Sequence, residues 1–185
     1  MAAHRHARTF VLTPVPENLF RDPIEYLLVG QTRLQTVCEW LDHIAADPTD
    51  PEATARAFGA VDYLASELPQ HLDDETSCLL PAMRRRCRPE DQIQDVADVI
   101  SQRSSAIRRT ASVLADVLQR LVRGESLTHD RHGLNVILAF TAAARRRLTW
   151  TGAVLFPMAQ RMLTADDLVQ MGRDMASRRG APYPE

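Results

Sequence analysis

Two residues in this chain have the types and the spacing of a small metal site. His71 and Glu75 stand at i and i+4, which places an imidazole and a carboxylate on one face of a helix, a turn apart. Such a pair can donate two ligands to a cation, or it can be a plain intrahelical pair on a wetted face. Its setting makes it more informative. The stretch His71-Leu-Asp-Asp-Glu-Thr-Ser-Cys-Leu-Leu-Pro81 has an echo in Arg147-Leu-Thr-Trp-Thr-Gly-Ala-Val-Leu-Phe-Pro157. Both copies end in two large apolar residues and a proline. In the second, Arg147 and Thr151 occupy the places of His71 and Glu75. The frame is written twice and the ligand chemistry once.

The elements that must position these residues are helical. Residues 1–21 carry Pro14 and Pro16 and no periodicity, so they are expected to form an extended arm. Asp22-Pro23 reads as an N-cap followed by proline at the first helical position. From there Ile24, Leu27, Leu28, Gln31, Leu34, Cys38 and Leu41 keep helical spacing to about Ala46. After the turn at 47–51, a second helix runs to about Arg86, with Phe58, Val61, Leu64, Leu68, His71, Glu75, Cys78 and Leu79 near its inner stripe and kinks expected at Pro69 and Pro81. A third follows the break at 88–91 and ends at Gly124. A fourth carries Leu134, Ile137, Leu138, Phe140, Ala144, Arg147, Thr151, Leu155 and Met158. A short fifth helix, about 165–178, starts after Thr164, and the tail from Gly180 is irregular. No segment alternates with strand period. The expected fold is therefore all-α: an up-down-up-down four-helix bundle over 22–163, with a short C-terminal helix and tail at 164–185. The hairpins 22–86 and 90–163 read as a divergent internal repeat.

Polar residues interrupt each apolar stripe partway along its helix. They are Gln31 in the first, His71 and Glu75 in the second, Arg103 or Ser104 in the third, and Arg147 and Thr151 in the fourth. One layer of a bundle would bring them together, and buried polar groups there must satisfy one another.

On these residues the chain resembles the hemerythrin-like, His-His-Glu cation-binding family over about residues 22–163. The likeness rests on Asp22-Pro-Ile-Glu-Tyr-Leu-Leu-Val-Gly-Gln31, on His71-Leu-Asp-Asp-Glu75 with Leu79-Leu-Pro81, and on Leu155-Phe-Pro157. The ending Leu163-Thr-Ala-Asp-Asp-Leu-Val-Gln-Met-Gly172, with Arg178-Arg-Gly180, is similar to tails of bacterial members. The resemblance implies a bundle that holds a non-haem di-iron centre and binds or senses oxygen, or stores or delivers iron. It also implies where ligands belong, and there the chain departs from it. His71 and Glu75 stand at the second helix's ligand positions. Gln31 stands where the first helix supplies histidine, Arg103 or Ser104 where the third does, and Arg147 and Thr151 replace a histidine and a glutamate. Two of six ligands cannot build a bridged di-iron site.

Arginine suits a buried carboxylate, so Arg147, with Arg103 as a second cation, is expected to replace the metal charge against Glu75. Gln31 and His71 would complete a hydrogen-bonded layer. The expected function is a non-catalytic binding or regulatory module without a cofactor. The rival is an iron protein for oxygen or iron sensing or storage, one ion being held by His71, Glu75 and nearby carboxylates. Asp73 and Asp74 are the carboxylates at hand, though both are expected to face solvent. A second rival is a thiol sensor at Cys87, whose neighbours Arg84 to Arg86 and Arg88 should lower its pKa. His43 suits the helix end, His129 and His132 fall in a loop, and His4 and His6 in the arm are adventitious metal binders at most. Three cysteines, Cys38, Cys78 and Cys87, make no disulfide framework. A net charge of −2 argues against nucleic-acid binding, and no apolar run is long enough for a membrane span. The expectation is a cytoplasmic protein with reduced thiols; a homo-oligomer is compatible with the sequence, which names no partner. Phosphate loops, nucleophile elbows and CxxC pairs are lacking.

Overall fold

In a computed structural model the chain is described from residue 10 to residue 184, the side chain of Pro89 excepted, and these residues form helices without a strand. Helix α1 spans Pro23–Ala46. The Asp22 side chain caps it, accepting from the Glu25 N–H at 3.1 Å, and Pro23 fills the first turn. Helix α2 (Ala53–Asp74) passes through Pro69 and widens into a π-helical turn, Glu75–Leu79, before α3 (Leu80–Arg86). Helix α4 is Ile93–Val122. Helix α5 (Arg131–Trp150) repeats the device, with a π-helical turn at Thr151–Leu155 and then α6 (Phe156–Met162). Helix α7 is Ala165–Arg178, opened by a capping box between Thr164 and Asp167.

The two π-helical turns have one cause. A proline inside a helix lacks an N–H, and its ring collides with the carbonyl four residues back. Here Leu80 N–H bonds to the Glu75 carbonyl and Phe156 N–H to the Thr151 carbonyl, five residues back in each case. The wider turn admits Pro81 and Pro157 without ending the helix. The kink expected at Pro81 thus becomes an extra residue in one turn.

Helix α1 packs on α2 and α5, and α4 packs on the same two, so the four long helices share an interior. Helix α7 lies on α1 and on a 3₁₀ turn at Glu17–Arg21. The interior is two apolar clusters. One gathers Leu34, Leu41, Leu68, Leu72, Ile107, Leu114, Ile137 and Phe140. The other gathers Leu27, Leu79, Met83, Ile100, Leu155, Phe156 and Met175. On each long helix the interrupting polar residue falls between a residue of one cluster and a residue of the other.

Three expectations need correction. Residues 17–21 are coiled, because burying Phe20 in the second cluster holds that turn against α7. Phe58 is 60% exposed and Leu138 51% exposed. Their inward neighbours are Ala57 and Ala60 in one case, Ile137 and Phe140 in the other, so the small residues rather than Phe58 mark the inner face of α2. Among the described residues no helix is long and apolar enough to cross a membrane.

Candidate functional site

The layer between the clusters is centred on Arg147 and Glu75, both with no exposed side-chain surface. Arg147 Nη2 donates to Glu75 Oε2. The Nε and Nη1 groups of Arg147 have no partner among the described residues. His71 Nε2 lies 3.1 Å from the other carboxylate oxygen, Oε1, yet the two do not meet hydrogen-bond geometry, and neither has a partner among the described residues. Burial pushes the Glu75 carboxyl upward in pKa; the Arg147 charge and the adjacent His71 outweigh it, and the group is held below its ordinary value.

Gln31 and Thr151 form the neighbouring link. Gln31 Nε2 donates to Thr151 Oγ1, and Thr151 Oγ1 donates to the Arg147 carbonyl at 3.1 Å. On α4 the inward residue is Ser104, 2% exposed, its hydroxyl without a partner among the described residues. Arg103 does not reach Glu75. It turns outward, giving an N–H to the Arg146 carbonyl at 3.2 Å and lying 5.6 Å from the centre of the Trp150 ring. The expected second cation is therefore absent from the layer, and Gln31 bonds to Thr151 rather than to His71.

Asp74 also departs from expectation. Instead of facing solvent it is wholly buried. Arg178 Nη1 and Arg179 Nη1 both donate to Oδ1, the latter at 3.2 Å, and Arg179 Nη2 donates to Oδ2 at 2.6 Å. The Arg179 guanidinium lies 4.9 Å from the centre of the Tyr26 ring, which stacks on Phe20. Sequence reading missed this lock because its partners lie about a hundred residues apart. The arginine pair 178–179 following a capped helix was its one visible trace. Asp73 meets Arg108 at 2.6 Å on the surface.

Gly30 was also missed. A Cβ there would fall 2.4 Å from His71 Nδ1, so only glycine lets the imidazole lie against α1. Tyr63 is the third, 2% exposed, its hydroxyl without a partner among the described residues, two turns before His71 on the same helix.

The donor chemistry does not fit a di-iron centre. His71 and Glu75 are two ligands, Asp74 is taken by arginines, and a guanidinium sits directly on Glu75. Among the described residues no three His, Cys, Asp or Glu side chains gather so as to hold a metal ion. His4 and His6 lie outside the described residues. His43 is in the last turn of α1, and His132 belongs to the first turn of α5 rather than to a loop.

Burial raises the pKa of all three thiols. Burial pushes Cys38 up to about 12 and raises Cys78. Cys87 is half-buried, and burial followed by the Asp91 charge raises its pKa, reversing the expected lowering. Of its arginine neighbours, Arg85 and Arg86 pair with Asp167 and Arg88 lies toward Glu90. Hydrogen bonding from Arg86 in turn holds the Asp167 carboxyl well below the usual carboxylate range.

No family model, curated protein or solved structure matches this chain.

Proposed function

We propose that this protein is an up-down-up-down, hemerythrin-like four-helix bundle whose di-metal site has been replaced by an internal cation, and that it serves as a non-catalytic binding or regulatory module. The observation that carries this reading is the wholly buried Arg147 guanidinium on Glu75. A carboxylate at zero exposure needs a fixed positive charge close by. Arg147 supplies it from the second half of the repeat, at the position matching His71. The twin π-helical turns at Glu75 and Thr151 support descent of the two hairpins from one unit. An inward polar layer contributed by facing helices is also the way helical bundles hold metals, which supports the reading.

The test is elemental analysis of tag-free protein, purified without chelators and then offered Fe(II) anaerobically. No stoichiometric iron and an unchanged melting temperature are expected. Two irons per chain, with ligand-to-metal absorption after exposure to air, would overturn the reading. So would one ion per chain that disappears in His71→Ala.

A further inference from the structure

Helices α2 and α4 meet along an outer groove of about 350 Å³. Its walls are small or apolar: Val61, Ala65 and Pro69 from α2, Ser112 and Ala115 from α4. The buried Leu68 and Leu72 lie beneath them. Arg108, the one charged residue of the lining, is answered by Asp73 at 2.6 Å. Two large apolar side chains beside the groove are left in solvent. Phe58, at helical spacing before Val61 and Ala65, is 60% exposed, and Val113, next to Ser112, is 47% exposed. Apolar side chains exposed beside an apolar recess mark a contact face.

The charges on α4 identify what covers it. Arg109 and Asp116 are exposed and stand seven residues apart, two turns along one face of the helix. Arg108 and Arg120, to either side, are paired within the chain; among the described residues Arg109 and Asp116 are not. Ser112 and Val113 lie midway between the two charges. A positive and a negative charge evenly spaced about an uncharged centre suit a second copy of the same helix running antiparallel. A two-fold axis at that centre sets each charge against its opposite. Carried across the groove to Ala65, the same axis brings Phe58, seven residues before Ala65, over the partner's Leu72, seven after it. Each copy then gives one phenyl ring and receives one.

We infer that the α2–α4 face is the interface of a two-fold dimer of this chain, with Phe58 seated reciprocally in the two grooves and Arg109 paired with the partner's Asp116. This goes beyond the polar-layer reading and does not rest on it.

Analytical ultracentrifugation of the full chain at low salt, where charge effects are least screened, should show a monomer–dimer equilibrium in the micromolar range. Phe58→Ser removes both rings from the interface and should weaken dimerisation about a hundredfold, as the loss of two central aromatic anchors does. Arg109→Asp and Asp116→Arg each set like charges together twice and should weaken it about tenfold or more. The two substitutions in one chain reverse the pairs and should restore the wild-type affinity. Mixing the two single variants should restore it as well, as a heterodimer. All three side chains are exposed, so every variant should keep the circular dichroism of the wild type. A wild-type chain that stays monomeric at about 100 μM, well above the Kd of a specific dimer, overturns the inference. So does a dimer unaffected by Phe58→Ser or by the single charge reversals, since its contact would lie on another face. Failure of both the double variant and the mixture to restore the dimer overturns it too.

Discussion

The two helical hairpins share a π-helical turn ahead of a proline and differ in the side chains they turn inward. In the first, the π-helical turn opens at Glu75 and closes before Leu80-Pro81; in the second, it opens at Thr151 and closes before Phe156-Pro157. The first half offers an imidazole and a carboxylate to the interior, the second a guanidinium and a hydroxyl. Backbone shape here depends on prolines and large apolar residues, which both halves keep. Layer chemistry depends on side chains one turn apart, and these differ. The halves remain coupled because the anion of one is neutralised by the cation of the other.

Breaking that coupling should produce the largest effect. Arg147→Met removes the cation and strands Glu75 at zero exposure, which should cost about 3–5 kcal/mol. Chemical denaturation should show the loss, with a melting temperature lower by on the order of 10 °C. The double substitution Glu75→Leu with Arg147→Met removes both charges and should recover most of it. A single-variant loss below about 1 kcal/mol, the ordinary point-mutant effect, would show that the halves are not coupled through this pair.

Acid should reach the same pair more gently. The Glu75 pKa is lowered in the folded state, so its stabilisation is present above the unfolded value, about 4.3, and is lost as pH falls through the lower folded value. Asp50, Asp130 and Asp167 are also held low, so the whole protein should lose stability in acid. The contribution of Glu75 is the difference between wild type and the double variant. Below about pH 4 that difference should move against wild type with a slope approaching about 1.4 kcal/mol per pH unit, the value for one proton. Between pH 5 and 8 it should be flat. Wild type losing ground to the double variant there would mean that burial, not Arg147, sets the Glu75 carboxyl.

How far the sequence disclosed this follows from how local each signal is. Helix spacing, the Asp22 and Thr164 caps and the Leu-Pro and Phe-Pro steps are fixed within a few residues, and the all-helical architecture follows from them. The inward set was legible for Gln31, Glu75, Arg147 and Thr151, whose polarity breaks an apolar stripe. The third helix was ambiguous, because Arg103 and Ser104 are adjacent and both polar; geometry favours the smaller residue inside. Phe58 misled because size is a poor guide to facing where alanines line the interface. Asp74 with Arg178 and Arg179, and Gly30 with His71, were invisible, since each joins elements that only packing brings together.

The smallest effect should come from the link that joins the halves without charge. Gln31 donates to Thr151, whose hydroxyl already donates to the Arg147 carbonyl one turn back. Thr151→Val keeps the shape and deletes the hydroxyl. The Arg147 carbonyl keeps its helical partner, since the Thr151 N–H bonds to it, and Gln31 is only half-buried, so its amide can turn to water. The cost should therefore be about 1 kcal/mol, that of one neutral hydrogen bond. Set beside Arg147→Met, it measures how much of the coupling between the halves is charge and how much is hydrogen bonding alone. A loss as large as that of Arg147→Met would mean that Thr151 orients the guanidinium. The layer would then be one network rather than an ion pair with a bystander.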